Sequence, residues 1–285
     1  MTHTESDGTS TSCIDGSSSA KSKDQYSLVK GIFAQDEDDF LPTADQIQPR
    51  LGLLDGAGQW PDVRALNDAA PEGVSFKLII AGRHGQGYHN VAIEKYSSEV
   101  WRNKLAVLEG DGEIKWGPDP LLTSVGLEQA KTAHEAWKKY TPPTPDVFFC
   151  SPHRRALRTC AITFPGQRVK VLEDIREKLS GHTCDVRSPI DSTLTSEFPS
   201  FDFSSFAYPV DPDPCADLRR ETDEDVAARV GRVLDYVFDT ERDAQVVSIT
   251  AHAGWIRGLF DVTGRYRYQL NTGGITPLLV RAEKV

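Results

Sequence analysis

Three short runs of apolar residues constrain the fold more than any other feature of the sequence. They cover residues 76–82 (FKLIIAG), 146–151 (DVFFCS) and 245–252 (QVVSITAH), and each is typical of a buried strand. Stretches with helical periodicity lie between them, at residues 122–140 and 222–240. Alternation of buried strands with amphipathic helices predicts a mostly parallel sheet with helices on both faces. We therefore expect an α/β fold, a three-layer α/β/α sandwich.

The remaining sequence indicates how the chain is organised around that sheet. Residues 1–24 are rich in Ser, Thr, Gly and Asp, so we expect a disordered N-terminal tail, with residues 25–285 forming one domain. Residues 26–73 read as an irregular arm laid over the core, and weaker strand candidates lie at 168–174 and 276–283. Residues 188–220 show neither helical nor strand periodicity, so this segment is either a lid that sets specificity or a disordered loop.

Charge and composition limit the classes of partner. Acidic residues outnumber basic ones 42 to 32, and no cluster of Lys or Arg resembles a nucleic-acid footprint, so nucleic acid is not an expected partner. The first residues lack the apolar core of a signal peptide, and no long apolar run predicts a membrane span. The five cysteines are scattered, which argues against a disulfide framework. We expect a soluble cytoplasmic protein, and the sequence gives no indication of its oligomeric state.

Polar side chains follow each of the three predicted strands. Arg83 and His84 follow the first strand, Arg155 follows the second, and His252 follows the third. In open α/β sheets the carboxyl ends of the strands form the edge at which ligands bind. We therefore expect these four residues to meet in one crevice, although any one of them alone is more often a turn or surface residue.

The expected crevice suits a compact anion such as a phosphate. Arginine offers a planar fork of donors, and the helices that follow Gly85, Pro152 and Gly254 can add backbone N–H groups. A neutral histidine among such donors can attack phosphorus and hold the phosphoryl group as a covalent intermediate. The neighbouring cations favour the neutral form of that histidine.

The same segments resemble motifs of the histidine phosphatase superfamily, the phosphoglycerate mutase-like proteins. RHGQGYHN (83–90) resembles RHG-x-x-x-x-N, SPHRRALRT (151–159) resembles S-x-x-x-R-A-x-x-T, and TAHAGWIRG (250–258) is similar to the motif of the second histidine. The segments 119–130 and 172–187 are similar to two further motifs of the family. The likeness is strongest to the fungal and yeast phosphomutase-like branch, and it implies a phosphoglycerate mutase-like fold.

The resemblance also implies a role for individual residues. It implies that His84 is the nucleophile and that His252 is a second catalytic histidine. Glu177 would be the general acid and base, although Glu173 and Asp174 lie close to it in an acidic stretch. The implied phosphate-binding residues are Arg83, Asn90 and Arg155.

A second group of residues is expected to form the wall of the substrate pocket. Gln86 replaces the acidic residue that follows RHG in many relatives, and Trp255 either lines the pocket or packs in the core. His89 and His153 either face the crevice or lie exposed on loops. His182, Cys184 and Asp185 lack a second ligand pair with zinc-like spacing, so no metal site and no cofactor are predicted. The candidate pocket residues are Gln86, Asp185, Arg187, Ala253 and Trp255.

Three functions remain open at this point. The first is a metal-independent phosphatase that hydrolyses a small organic phosphate ester through a phosphohistidine. The second is a phosphomutase of the phosphoglycerate mutase type, against which Gln86 and the absence of a long basic insertion argue. The third is a family member redirected to non-phosphate chemistry or to binding, because a fold alone does not fix a function. In the first two cases the partner is a phosphorylated small molecule of undetermined identity.

Overall fold

In the part of the chain that the structure describes, seven strands form a single sheet. The computed structural model describes residues 24–43, 46–207, 209–215 and 217–285. The predicted disordered tail therefore lies, apart from Asp24, outside the described residues. The strands are β1 (Asp24–Leu28), β2 (Val74–Arg83), β3 (Val147–Cys150), β4 (Val169–Val171), β5 (Phe201–Asp202), β6 (Val246–Ala251) and β7 (Ile275–Lys284).

The strand order is β1-β7-β2-β6-β3-β4-β5. The five strands from β2 to β5 in this order run parallel, whereas β7 is antiparallel to β2 and β1 is antiparallel to β7. The predicted mostly parallel α/β sandwich is confirmed, and all five predicted strands are present. The edge strands β1 and β5 were not predicted, because each is short and lies in a segment without an alternating pattern.

Helices cover both faces of this sheet. In the described part of the chain the α-helices are α1 (Val63–Asp68), α2 (Tyr88–Lys95), α3 (Ser98–Val100), α4 (Ser124–Tyr140), α5 (Arg154–Thr163), α6 (Ser192–Glu197), α7 (Asp223–Thr240) and α8 (Ala253–Thr263). Side chains of a strand alternate between its two faces. Ile79 and Ala81 of β2 accordingly pack with α7 and α8, while Leu78 and Ile80 pack with α4 and the arm.

The arm and the segment 188–220 are both packed against the core. Phe33 and Leu51 of the arm are fully buried in the same cluster as Ile80. In the described part of 188–220, α6 and β5 bring Leu194 and Phe201 onto the cluster that contains β3 and β4. The described part of this segment is therefore ordered by burial of its scattered apolar side chains, and its role as a lid that sets specificity stays a prediction.

Two further expectations concern disulfide bonds and membrane-spanning segments. Cys150, Cys160 and Cys184 are buried free thiols. Cys215 is disulfide-bonded, which departs from the expectation that the cysteines form no disulfides. Among the described residues, no helix combines the length and the apolar character that crossing a membrane requires.

Candidate active site

The parallel pairing of β2 with β6 brings His84 and His252 side by side. Arg83 at the end of β2 pairs with Ala251 at the end of β6, so the next residue of each strand leaves the sheet at the same point. The His84 backbone N–H donates to the Ala251 carbonyl at 3.0 Å, which extends the ladder by one bond. The two imidazole rings have centroids 5.0 Å apart, and both are buried.

Strand β3 adds a third chain segment on the other side of β6. The Ser151 backbone N–H donates to the Thr250 carbonyl at 3.0 Å, and its hydroxyl lies 2.7 Å from His252 Nε2. The rings of His153 and His252 have centroids 4.9 Å apart, and those of His84 and His89 lie at 5.4 Å. We call the four side chains, in the spatial order His89, His84, His252 and His153, the histidine row.

Two arginines place positive charge beside the histidine row. Arg155 lies in the first turn of α5, is buried, and donates from Nη1 to the Cys184 carbonyl at 3.0 Å. Arg83 donates from Nη1 to the Leu270 carbonyl at 2.7 Å. Burial lowers the pKa of Arg83, and Arg155 lowers it further. The chain has a net charge of −10, so this local excess of cations is a specific feature of the site.

The histidine row is held in the neutral state. Burial lowers the pKa of all four histidines well below the ordinary value, and the charge of Arg155 is the next cause for each of them. His84 Nδ1 lies 2.6 Å from the Gly85 carbonyl oxygen. Because a carbonyl oxygen can only accept, Nδ1 carries the proton and Nε2 holds the free lone pair. His84 is thus a neutral imidazole whose Nε2 is the unprotonated nitrogen, and its role as the nucleophile stays a prediction.

In the folded chain, the carboxyl group of Glu177 contacts the N-terminus of α8, which follows His252 of the histidine row. Its Oε1 accepts from the backbone N–H groups of Gly254 and Lys178, both at 2.8 Å. A Cβ on residue 254 would lie 2.4 Å from that oxygen, so glycine is required for this close approach. Glu177 also interacts electrostatically with Arg83. Its carboxyl group is therefore fixed by backbone donors and is partly exposed to solvent.

Several side-chain nitrogen atoms in this region are buried without a hydrogen-bond partner among the described residues. They are Nε of Arg83, Nε of Arg155, Nδ1 of His89, Nδ1 of His252 and both ring nitrogens of His153. Buried polar atoms are normally satisfied, and each exception costs about 1–3 kcal/mol. These unsatisfied atoms of the two arginines and the histidine row indicate a binding site for a polar ligand, and the arginine Nε–H groups, which can only donate, require acceptor atoms on it.

Asn90 and Gln86 occupy the loop that follows His84. Asn90 Oδ1 accepts from the Gly87 backbone N–H at 2.9 Å and so closes the first turn of α2. Gln86 Oε1 accepts from the Thr123 hydroxyl at 2.8 Å at the start of α4. Both side chains hold the His84 loop, and the predicted contact of each with substrate stays a prediction.

Two of the candidate pocket residues are engaged inside the fold, in agreement with the core-packing alternative for Trp255, and contact of either with a substrate stays a prediction. Trp255 is fully buried in the core, and its indole N–H donates to the Asp174 carbonyl at 2.8 Å. Arg187 is buried between Glu173 and Asp211 and forms an ion pair with each. Trp255 is surrounded by apolar core side chains, and the guanidinium of Arg187 is paired with two carboxylates.

Ala253 and Asp185 remain near the site. Ala253 is the first residue of α8, directly after His252. Asp185 is buried, interacts electrostatically with Glu177 and Arg155, and has a pKa that burial raises to about 6. Their contact with a substrate stays a prediction.

Ser151 was not among the predicted site residues, although it begins the SPHRRALRT motif. A serine that directly follows a strand paired with β6 necessarily lies beside His252. The pairing register of β3 with β6, which the sequence does not show, was needed to predict this contact. The alternative of exposed loops for His89 and His153 is wrong, because both rings are buried in the histidine row.

Comparisons with known proteins agree with the motifs. Residues 104–269 match the family model of the histidine phosphatase superfamily (branch 1). A probable phosphoglycerate mutase of Arthroderma benhamiae is 34% identical over an alignment 291 residues long, which covers 90% of this chain and 84% of the relative. Phosphomutase-like protein 3 of Candida albicans is 30% identical over 91% of this chain and 81% of its own length. The solved structure of the ecdysone phosphate phosphatase of Bombix mori with tungstate is 19% identical, covers 70% of this chain and 87% of that one, and gives a TM-score of 0.46.

Proposed function

Since this chain belongs to branch 1 of the histidine phosphatase superfamily, we propose that it is a phosphatase acting on a small organic phosphate ester through a phosphohistidine at His84. The observation that supports this most directly is the tautomer of His84. Its Nδ1–H donates to the Gly85 carbonyl at 2.6 Å, so Nε2 is free to attack phosphorus. Arg155 and Arg83 supply the positive charge that a transferred phosphoryl group needs.

The proposed reaction takes place in two steps, formation and hydrolysis of the phosphohistidine. In the first, His84 Nε2 forms a bond to phosphorus, the ester P–O bond breaks, and the leaving oxygen receives a proton from Glu177. In the second, Glu177 takes a proton from water, the hydroxide oxygen bonds to phosphorus, and the P–N bond to His84 breaks. Inorganic phosphate and the alcohol are the products, and both residues return to their starting states.

Glu177 suits this role because its carboxyl group is held in place yet not sealed from solvent. The Gly254 N–H fixes one oxygen at 2.8 Å, which leaves the other oxygen for the leaving group or for water. Glu173 and Asp174, the alternatives from the sequence, form ion pairs with Arg187 and Arg232 respectively. Their carboxylates are engaged with arginines, so Glu177 is the better candidate.

The experiment measures phosphate release from a panel of small phosphate esters that includes p-nitrophenyl phosphate. We expect His84→Ala to lose activity by at least about 10³-fold, since it removes the nucleophile. A brief pulse of 32P-labelled ester should leave acid-labile label on the wild type and none on the variant. His134→Ala is the matched control, because His134 lies on α4 and contacts Thr163 instead of the histidine row.

Two results would contradict the proposal. One is full activity of His84→Ala with a substrate that the wild type hydrolyses. The other is the absence of phosphate release from every ester of the panel with folded wild-type protein, which would favour binding or non-phosphate chemistry.

The second candidate is a phosphomutase, which the names of the fungal relatives favour. A mutase uses the same nucleophile but returns the phosphoryl group to the product before water attacks. Supplying monophosphoglycerate with bisphosphoglycerate separates the two candidates. Isomerisation faster than release of free phosphate would favour the mutase, whereas hydrolysis alone would favour the phosphatase.

A further inference from the structure

Three side chains of different chemistry converge on the turn that precedes the segment 188–220. The donor atoms of His182, Cys184 and Asp185 all lie within 4.8 Å of one another. Cys184 and Asp185 are buried, and His182 is partly exposed. We propose that these three side chains bind a zinc-class divalent transition metal, with a water molecule as the fourth ligand.

The sulfur and oxygen donors are already at the separation that such a metal requires. Cys184 Sγ lies 3.6 Å from Asp185 Oδ1. A tetrahedral metal at about 2.3 Å from sulfur and about 2.0 Å from oxygen holds those two atoms about 3.5 Å apart. Binding therefore needs little movement of this pair. The imidazole of His182 has to move closer by about 1.5 Å at most, because the tetrahedral N–S and N–O separations are about 3.5 and about 3.3 Å.

The backbone of this turn is fixed by contacts outside the three ligands. Arg155 Nη1 donates to the Cys184 carbonyl at 3.0 Å, and Arg176 Nη2 donates to the Asp185 carbonyl at 2.7 Å. Asp185 Oδ2 accepts from the Ser180 backbone N–H at 2.8 Å, which orients the carboxylate and leaves Oδ1 toward the sulfur. Oriented outer-sphere contacts of this kind are typical of metal sites.

The position of His182 provides the route for a metal. Its ring packs edge-on against Trp101 with centroids 5.9 Å apart, while the residue remains partly exposed. An ion can thus enter on the histidine side and meet the buried thiol and carboxylate beyond it. A metal with three protein ligands and one water is the pattern of an open site rather than of a closed structural one.

The balance of charge is also compatible with a divalent ion. Arg155, Arg176 and Arg220 are nearby cations, and Glu177 adds a second carboxylate close to Asp185. On binding, Cys184 loses its thiol proton to solvent, so the thiolate and the carboxylate together neutralise the two charges of the metal. The missing second ligand pair in the sequence excludes a four-ligand site, but it does not exclude a site with three ligands.

The test uses Co²⁺ as a spectroscopic probe on the full-length protein after treatment with a chelator. We expect one equivalent of Co²⁺ to give thiolate-to-metal charge-transfer absorption in the near ultraviolet, and Zn²⁺ to abolish it by displacement. Cys184→Ser should lose the band, and Asp185→Asn and His182→Ala should weaken Co²⁺ binding at least about 10-fold. Cys160→Ser is the matched control, since Cys160 is a buried free thiol outside the cluster.

This proposal does not depend on the phosphatase proposal, because His84→Ala should bind Co²⁺ like the wild type. Folding of each variant is checked by its thermal unfolding in the absence of metal. The proposal is overturned if folded wild type gives no charge-transfer band at millimolar Co²⁺. It is equally overturned if folded Cys184→Ser keeps the band, or if Cys160→Ser loses it.

Discussion

Replacing Arg229 by methionine removes the cation that ties α7 to the turn carrying Glu177. The guanidinium donates to both carboxylate oxygens of Glu221, at 2.7 and 2.8 Å. It also donates to the carbonyls of Asp174, Arg176 and Glu177, at 2.8, 3.1 and 3.4 Å. One buried side chain thus bonds three carbonyl groups in the segment that ends at the candidate general acid.

The expected loss of stability follows from the burial of this pair. The side chains of Arg229 and Glu221 are 4% and 5% exposed. Removing one partner of a buried ion pair costs about 3–5 kcal/mol, because the other charge stays buried without compensation. Among the described residues, Glu221 would keep the hydrogen bond from the Leu179 backbone N–H, and the three carbonyls would lose the Arg229 donor, although Asp174 would keep the Trp255 indole. We therefore expect Arg229→Met to lower the free energy of unfolding by about 3–5 kcal/mol.

Equilibrium unfolding in urea measures this change, and the same helix provides a matched control. Arg232 lies three residues further along α7 and pairs with Asp174, but its side chain is 42% exposed. Arg232→Met should therefore cost less than about 1 kcal/mol. The double variant with Arg229→Met and Glu221→Gln should recover part of the loss, because no carboxylate is then left unpaired.

The same substitution should affect turnover through the position of Glu177. We expect kcat of Arg229→Met to fall more than KM rises, since the general acid contributes in the transition state rather than in substrate binding. A cost below about 1 kcal/mol for Arg229→Met, or a cost equal to that of Arg232→Met, would refute the reasoning from burial. An unchanged kcat in a folded variant would refute the link to Glu177.

Three further predictions concern the site. Ser151→Ala removes the hydroxyl 2.7 Å from His252 Nε2 and should lower kcat about 10-fold, the equivalent of one hydrogen bond of about 1.4 kcal/mol; an unchanged kcat would argue against a role for this contact. Because the fold lowers the pKa of the histidine row, the unfolded chain binds more protons below pH 6.5. As the pH is lowered below that value, the free energy of unfolding, measured in urea, should therefore decrease by up to about 1.4 kcal/mol per pH unit for each histidine. His153→Asn should reduce this slope by the contribution of one histidine. Equal slopes for the wild type and this variant would contradict the claim. Trp255→Phe loses the indole N–H bond to Asp174 and should cost about 1 kcal/mol of stability with KM unchanged; a large rise in KM would instead return Trp255 to the pocket wall.

Much of the sheet could be predicted from the sequence, because the patterns that define a strand are local. The runs around Leu78, Phe149 and Val247 are apolar enough to indicate buried strands without knowledge of the rest of the chain. The edge strands β1 and β5 could not be predicted in this way. They are strands because β7 and β4 present unpaired edges to them, and their own sequences lack the alternating pattern.

Local patterns in the sequence are enough to place Arg83, His84, Arg155 and His252 after the strand ends, and therefore at one edge of the sheet. The partners of long polar side chains, in contrast, depend on the folded chain. Arg187 was predicted in the pocket but pairs with Asp211, because a guanidinium takes whichever carboxylate the distant chain brings near. A strand or helix pattern depends on neighbours in sequence, whereas the partner of a buried charge depends on segments that meet only after folding.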